Sequence, residues 1–220
     1  MKSLVIFGAG DIGQLAHFYF SNDSGYRVAA FTVDAEYVTG PELCGLPLIA
    51  FDKIASVFPP DENHLFVALS YAKLNQARKE KYLAAKALGY PIASYVSSKA
   101  STFPGFAAGE NCFILEDNTI QPFVSIGNNV TLWSGNHIGH HSKIGDHCFI
   151  ASHVVISGGV TIDEACFIGV NATLRDHVHI GARCVIGAGA LILRDAEPDG
   201  VYFGTATERS GVPSARLGTL

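Results

Sequence analysis

Histidines are concentrated in one short stretch of the second half of the chain. Seven of the nine histidines lie between residues 137 and 179. Imidazole titrates near neutrality, so a histidine can act as a general base toward an amine or a hydroxyl. His140 and His141 form the most informative pair, because Gly158 and Gly159 stand eighteen residues after them. Two glycines stacked beside two imidazoles would leave an indentation where a backbone N–H could reach a developing oxyanion. We therefore predict that this pair is catalytic and that most of the other histidines are exposed surface side chains.

A glycine-rich loop near the N-terminus has the spacing of a phosphate-binding turn. Residues 8–13 read Gly-Ala-Gly-Asp-Ile-Gly and stand between a strand-like apolar run and a helix-like segment. Glycines at these positions allow a phosphate to approach the N-terminus of the helix. An acid at the end of the next strand can contact a ribose hydroxyl or a base edge. The predicted nucleotide-binding residues are Gly8, Gly10, Asp11, Ile12, Gly13 and Asp34. Only about a hundred residues precede the repeats described next, which favours a half-site for a mononucleotide diphosphate over a full NAD site. The alternative is a tight turn that binds nothing.

The segment that carries the histidines has a period of six residues. Ile or Leu occurs at every sixth position from Ile114 to Ile192, and the residue four positions later is usually small or Val. A helical period of 3.6 or a strand period of 2 cannot generate this pattern, which is typical of a parallel β-helix. Three hexads make one coil, so residues eighteen apart are expected to stack. Cys148, Cys166 and Cys184 share this interval, and we interpret them as small buried residues rather than as a metal or redox ladder.

The first hundred residues instead alternate between strands and helices. Strand-like runs begin at Leu4, Val28 and Leu65, with a last short strand at residues 92–96. The helix predicted over residues 74–88 has an apolar face made of Ala77, Leu83, Ala84, Ala87 and Leu88. This alternation predicts a small Rossmann-like βαβ domain with a parallel sheet. We expect three parts: an α/β domain over residues 1–100, the β-helix over 101–200, and a C-terminal tail over 201–220.

Composition excludes several classes of function. The chain has 220 residues with 15 Lys plus Arg and 20 Asp plus Glu, a formal charge of −5 that gives no general attraction to nucleic acid or to an anionic membrane. No run of about 18 apolar residues exists, and the N-terminus does not read as a signal peptide. Five cysteines without a secretory signal argue against a disulfide scaffold. We expect a cytoplasmic protein with no nucleic-acid or membrane partner.

The combination of a glycine-rich βαβ domain with a hexad segment resembles one bacterial family. The segment at residues 133–145 reads Trp-Ser-Gly-Asn-His-Ile-Gly-His-His-Ser-Lys-Ile-Gly. Together these features resemble the sialic acid O-acetyltransferase (NeuD-type) family and its relatives, the N-acetyltransferases of nucleotide-linked amino sugars. The resemblance implies a left-handed β-helix, a homotrimer with active sites between subunits, and acetyl-CoA in the groove between two β-helices. It also implies that the nucleotide sugar lies between the N-terminal domain and the β-helix.

The resemblance assigns roles residue by residue. The family's general base is a His two positions after a hexad aliphatic, which corresponds to His140, and the acid that usually follows is replaced here by His141. Backbone groups of later coils that meet the thioester correspond to Gly158, Gly187 and Ala188. No metal is implied. Two departures are visible, because the Gly-Gly-His-Gly turn and the Pro-Ala segment of many members are both absent.

The resulting hypothesis is N-acetylation of a nucleotide-linked amino-deoxy sugar by acetyl-CoA. The resemblance implies a GDP-, dTDP- or UDP-linked 4-amino-4,6-dideoxy sugar used for a surface polysaccharide or glycan. Transfer to a sugar hydroxyl is one alternative. A metal-dependent hydratase, similar to the gamma-class carbonic anhydrases, is another, since imidazoles between β-helices can hold zinc. A nucleotide-binding scaffold whose β-helix only trimerises, and acyl donors other than acetyl-CoA, also stay open.

Overall fold

The computed structural model describes residues 2–211 and 213–216, and its N-terminal part is an α/β unit. Its strands are β1 (Lys2–Phe7), β2 (Tyr26–Val33), β3 (Glu42–Leu43), β4 (Leu46–Ala50) and β5 (Asn63–Val67). Its helices are α1 (Asp11–Asn22), α2 (Ile54–Val57) and α3 (Gln76–Ala87), with short 3₁₀ turns at Ala35–Tyr37 and Phe51–Lys53. The sheet order is β3-β4-β2-β1-β5, and only β3 is antiparallel to its neighbour. The predicted parallel α/β fold is confirmed.

The central strand β1 is buried on both sides, which explains its unbroken apolar sequence. Leu4 and Ile6 pack in one cluster with Phe20 of α1. Val5 points the other way and packs in a second cluster with Tyr82 of α3. The two long helices therefore cover opposite faces of the sheet, and the turn between β1 and α1 lies at the carboxyl edge of the strands.

The second part of the chain is a parallel β-helix with three stacked faces. Face 1 contains the strands Tyr95–Val96, Phe113–Ile114, Thr131–Leu132, Phe149–Ile150, Phe167–Ile168, Val185–Ile186 and Val201–Tyr202. Face 2 contains Thr119–Ile120, His137–Ile138, Val155–Ile156, Thr173–Leu174 and Leu191–Ile192. Face 3 contains Ser125–Ile126, Lys143–Ile144, Thr161–Ile162 and His179–Ile180. Partners across each face are eighteen residues apart throughout the hexad segment, as in Phe149 with Phe167. Every hexad aliphatic from Ile114 to Ile192 is buried, so the predicted register is confirmed.

The stacked cysteines are structural. Cys148, Cys166 and Cys184 are all buried, and each thiol donates to a backbone carbonyl oxygen 3.0–3.2 Å away. Burial raises the pKa of the Cys148 thiol well above its ordinary value, which keeps it protonated. A protonated buried thiol is a small apolar residue with one donor, as the hexad register predicts.

The junction between the two parts differs from the sequence prediction. Residues 92–96 do not form one strand of the α/β sheet. Ile92 bridges Leu65, whereas Tyr95–Val96 pairs with Phe113–Ile114 and begins face 1. At the other end, Val201–Tyr202 adds a further strand to face 1 although the hexad pattern has stopped. Residues 212 and 217–220 of the predicted tail lie outside the described residues.

The predicted apolar face of α3 is wrong. Leu83 and Leu88 are exposed, and the buried residues of the helix are Arg78, Tyr82 and Ala85. The physical reason is that the Arg78 guanidinium donates to backbone and side-chain oxygens of the β-helix, so a charged residue takes the innermost position.

No helix in the described ranges is both long enough and apolar enough to cross a bilayer.

Candidate functional site

The three glycines of the loop after β1 have different structural roles. Gly8 has φ +125°, and a β-carbon there would lie 2.5 Å from the carbonyl oxygen of Ala68. Gly13 packs directly on the carbonyl of Gly8, so it also has no room for a side chain. Gly10, by contrast, faces open space. The first and third glycines are thus required for packing the turn, and the second leaves room for a ligand to approach the backbone.

Helix α1 begins at this open position. Its N-cap is Gly10, and no side chain caps its first backbone N–H groups. Uncapped N–H groups at a helix start carry a partial positive charge and are suited to bind an anion such as a phosphate. Asp11, in the first turn, is exposed and points into neither of the two cavities described below.

A cavity of about 530 Å³, here called the glycine-loop cavity, opens at the carboxyl ends of β1 and β2. Three of the residues predicted to bind a nucleotide line it, Gly8, Gly10 and Asp34, together with Tyr37 and Lys81. Lys81 Nζ lies 2.6 Å from Asp34 Oδ1, in a pair whose side chains are both about two-thirds buried. The cavity therefore combines a helix N-terminus, an exposed aromatic ring and a donor–acceptor pair, which suits a nucleoside phosphate.

A second cavity of about 320 Å³, here called the aromatic cavity, lies between the α/β unit and face 1. Its walls include Ile12, Tyr71, Trp133, Phe149, Phe167 and Ala188. Ile12 and Ala188 were singled out from the sequence for different ligands, and the structure brings them into this one cavity. Trp133 is the single tryptophan of the chain.

The two cavities flank the same turn. Gly8 and Gly10 line the glycine-loop cavity, and Ile12, in the first turn of α1, lines the aromatic cavity. A ligand whose phosphates sit on the N-terminus of α1 can therefore extend one end into each cavity. Sequence inspection missed Tyr37, Lys81 and most of the aromatic walls, because these residues come from other elements and share no spacing with the glycine motif.

His140 and His141 lie side by side at the corner where face 2 turns into face 3. Their Nδ1 atoms are 3.1 Å apart, so one imidazole donates its Nδ1 hydrogen to the other. The backbone N–H of His140 donates to Gln121 Oε1 at 2.9 Å, and the His141 ring packs against Phe123 in a tilted arrangement with ring centres 4.6 Å apart. Both imidazoles are exposed in the single chain.

The indentation predicted beside the pair is only one glycine wide. Gly158 faces the His140 imidazole, and a β-carbon there would lie 2.7 Å from His140 Cε1. Gly159 instead faces the ring of His177 from the next coil, so the second predicted glycine does not open onto His141. The reason is that His177 occupies the equivalent corner position one coil later and fills that space.

The single chain does not bring the histidine pair to the cavities. The α/β unit packs on face 1, where the Tyr71 ring lies 5.0 Å from that of Phe149 and 4.8 Å from that of Phe167. His140 and Gly158 lie on the corner opposite face 1, between faces 2 and 3. Gly187 and Ala188 lie on a different corner, directly after a strand of face 1. The residues predicted for acetyl-CoA are thus divided between two edges of the β-helix.

The described residues of one chain contain no group of three or more His, Cys, Asp or Glu side chains placed to hold a metal ion. The histidine cluster of the sequence is spread over several coils of the β-helix, and His137 and His179 lie in strands rather than at corners. His153 and His177, for example, cover Gly135 and Gly159 respectively.

The hexad segment matches a known family of repeats. Residues 123–158 and 159–194 match the model of the bacterial transferase hexapeptide (six repeats) family. These residues are therefore hexapeptide repeats of the bacterial transferase type, as predicted. No curated protein matches the chain by sequence.

Several solved structures share the architecture along nearly their whole length. PerB from Caulobacter crescentus, in complex with CoA and GDP-perosamine, superposes with a TM-score of 0.82 at 24% identity, covering 93% of this chain and 95% of that chain. The acetyltransferase domain of PglB from Neisseria gonorrhoeae gives 0.79 at 22%, covering 93% and 97%. WeeI from Acinetobacter baumannii gives 0.69 at 19%, covering 91% and 96%. The predicted fusion of an α/β unit with a hexapeptide β-helix is thereby confirmed.

Proposed function

We propose that this protein is an acetyl-CoA-dependent acyltransferase that acetylates the amino group of a nucleotide-linked amino-deoxy sugar. One observation carries the proposal: two cavities of different chemistry flank the uncapped N-terminus of α1. A nucleotide sugar has the same layout, with a nucleoside and a sugar on either side of a diphosphate. The similar PerB was solved with CoA and GDP-perosamine, a pair of ligands of this kind.

In the proposed complex the diphosphate lies on the backbone N–H groups at the start of α1, beside Gly10. The nucleoside occupies the glycine-loop cavity, where Asp34 accepts hydrogen bonds from the ribose or the base and Tyr37 offers a stacking surface. The sugar occupies the aromatic cavity, whose walls favour a ring with few hydroxyl groups, because unpaired hydroxyls are costly to bury. A deoxy sugar fits this requirement.

In the proposed mechanism, His140 is the general base. The neutral amine attacks the thioester carbonyl carbon, His140 Nε2 takes a proton from the amine nitrogen, and the C–S bond breaks to release the CoA thiolate, which is then protonated. His140 can accept at Nε2 only if its own hydrogen is on Nδ1, and the Nδ1 atom of His141 at 3.1 Å can accept that hydrogen. His141 would thus fix the tautomer, the role that an acid usually fills. Gly158 would place backbone beside the thioester.

A second copy of the chain is needed to complete the proposed site. His140 lies on the corner opposite face 1, and face 1 supplies the β-helix wall of the aromatic cavity, so one copy's histidine must serve the cavity of another. Closed rings of identical subunits form such sites naturally, and we propose a homotrimer. Acetyl-CoA would then lie between two β-helices, with Gly158 from one copy and Gly187 and Ala188 from the next. We also propose a cytoplasmic location, because acetyl-CoA is supplied in the cytoplasm.

Release of CoA thiol, measured with acetyl-CoA and a panel of UDP-, dTDP- and GDP-linked amino sugars, tests the proposal. We expect release with at least one member and none with the matched sugar that carries a hydroxyl in place of the amine. Release with the hydroxyl sugar alone would establish O-transfer instead. Absence of release with the whole panel, and with formyl and longer acyl donors, would refute acyl transfer.

A further inference from the structure

One loop lines both cavities. Residues 69–75 connect β5 to α3, and within this loop Leu69 and Lys73 line the glycine-loop cavity. Ser70 and Tyr71 line the aromatic cavity. The two ends of one ligand would therefore meet side chains only one to three positions apart in the sequence.

The loop has an unfavourable backbone. Lys73, Leu74 and Asn75 have φ values of +52°, +51° and +66°, three successive residues in the left-handed region. Side chains rarely adopt this region, and a bulky residue such as Leu even less often. A run of this kind persists only where the surrounding structure holds it, and such runs occur at ligand sites more often than elsewhere.

Asn75 attaches the loop to the β-helix. Its side chain is buried, and Nδ2 donates to the carbonyl oxygen of Cys166 at 3.2 Å and to that of Ala165 at 3.4 Å. Its Oδ1 accepts from Arg78 Nη2 at 3.4 Å. The end of the loop is thus tied both to face 1 and to the first turns of α3.

Arg78 is the second attachment. Its guanidinium is fully buried, and its hydrogen-bond partners among the described residues are neutral oxygens rather than a carboxylate. It donates to Asn129 Oδ1 at 3.1 Å, to Thr131 Oγ1 at 3.1 Å and to the carbonyl of Cys148 at 3.0 Å. Burial lowers the pKa of Arg78 to about 10, so the group stays charged at neutral pH. Burying a cation without an anionic partner costs free energy, so the hydrogen bonds that Arg78 makes must offset that cost.

The guanidinium also supports the aromatic cavity. Its carbon lies 5.6 Å from the centre of the Phe149 ring, and that ring in turn contacts Tyr71 with centres 5.0 Å apart. Arg78 therefore reaches the loop along two routes, through Asn75 and through Phe149.

We propose that Arg78 and Asn75 are positioning residues that hold loop 69–75 across both cavities, so that Lys73 and Tyr71 meet the nucleoside and sugar portions of one substrate. This proposal rests on the proposed function for the identity of the ligand. The loop then acts as the element that joins the two cavities into one binding site.

The test compares Arg78→Met and Arg78→Lys with Lys79→Met. Lys79 is the matched control, because it also crosses from α3 to the β-helix, in an exposed pair with Glu164 at 3.3 Å, and lines neither cavity. We expect Arg78→Met to raise KM for the nucleotide sugar by about tenfold or more while KM for acetyl-CoA changes by less than about twofold. Lysine keeps the charge but loses the planar fork, so Arg78→Lys should recover part of the loss. Lys79→Met should leave both constants unchanged.

Quenching of Trp133 fluorescence by acrylamide gives a readout that needs no substrate. Trp133 lines the aromatic cavity with Tyr71, so a displaced loop should make it more accessible in Arg78→Met and not in Lys79→Met. A folded Arg78→Met protein with unchanged quenching and unchanged KM would overturn the proposal. If Arg78→Met does not fold, Asn75→Gly is tested by the same two measurements, the quenching of Trp133 and KM for the nucleotide sugar. Glycine accepts the left-handed backbone at this position and removes only the hydrogen bonds of the Asn75 side chain. If the wild type acetylates no amino sugar, the proposed function fails, and the quenching comparison still decides whether these residues hold the loop.

Discussion

The imidazole of His140 rests on the backbone of Gly158, so closely that a β-carbon at position 158 would lie 2.7 Å from His140 Cε1 and 2.8 Å from Nε2. These two residues occupy the same corner in successive coils. The glycine therefore determines where the proposed base lies, although it is eighteen residues away in the sequence.

Replacing this glycine tests the relationship. We expect Gly158→Ala to fold normally, because the clash is with the end of a flexible side chain, and to lose at least about tenfold in turnover as the imidazole is displaced. Gly40→Ala is the matched control, since a β-carbon at Gly40 meets nothing within 4 Å. Thermal midpoints and thiol release measure the two effects. Unchanged turnover in Gly158→Ala would show that the position of His140 does not matter.

His140→Asn separates catalysis from binding. We expect turnover to fall by about 10²- to 10⁴-fold, the usual contribution of a general base. Binding of the nucleotide sugar, followed by Trp133 fluorescence, should be nearly unchanged, because the proposed base meets only the reacting amine, whereas the diphosphate and the nucleoside are held at the start of α1 and in the glycine-loop cavity. His141→Asn should lose less, since its proposed role is to orient His140. A larger loss in His141→Asn than in His140→Asn would assign the base to His141 instead.

The glycine loop offers a pair of substitutions with opposite expected effects. Gly8→Ala should lower the thermal midpoint, because of the positive φ and the 2.5 Å approach to the Ala68 carbonyl. Gly10→Ala should leave the thermal midpoint nearly unchanged and weaken binding of a nucleoside diphosphate, since its methyl group enters the space left for the phosphates. Calorimetric titration and thermal unfolding give the two quantities. Full affinity in a folded Gly10→Ala protein would show that the diphosphate does not bind at this loop.

Acid stability depends in part on Asp23. Donation from the Tyr95 hydroxyl at 2.7 Å and from the Ser98 backbone N–H at 2.9 Å lowers the pKa of this carboxyl below its ordinary value. The folded state therefore favours the ionised form, and the resulting stability is present near neutrality and is lost as the pH falls through the lowered pKa. We expect Asp23→Asn to reduce the difference in urea midpoint between about pH 6 and about pH 3. An unchanged difference would mean that other carboxyls account for it.

Much of the β-helix could be predicted because one residue type repeats at one interval. The hexad aliphatics from Ile114 to Ile192 are all buried, and the interval of eighteen residues correctly predicts that Cys148, Cys166 and Cys184 stack. The same interval identified Gly158 as the neighbour of His140. It failed for Gly159, because the period gives the backbone position and not the direction of the His177 ring that fills the space.

The contacts between the two parts of the molecule could not be predicted in this way. A helical pattern places Leu83 inside and Arg78 outside, and the structure reverses both. The burial of Arg78 depends on oxygen atoms of Asn129, Thr131 and Cys148, which are 51 to 70 residues later in the sequence and follow no period that includes α3. Tyr71 was missed for the same reason, since its importance follows from the docking of one unit on the other. Lys81 was missed because its pairing with Asp34 joins two elements of the α/β unit that share no spacing.

The central claim is that the histidine of one copy serves the substrate cavity of another, and mixing two defective chains tests it most directly. One chain carries His140→Asn, and the other carries Gly10→Glu, which places a negative charge where the phosphates are proposed to bind. Each homo-oligomer should be inactive in thiol release. After unfolding and refolding together in equal amounts, about a quarter of the sites in a ring should combine an intact histidine from one chain with an intact cavity from the other, and activity should return to about that fraction of wild type. If mixed oligomers form and no activity returns, each chain must supply both halves of its own site, and the account would be contradicted.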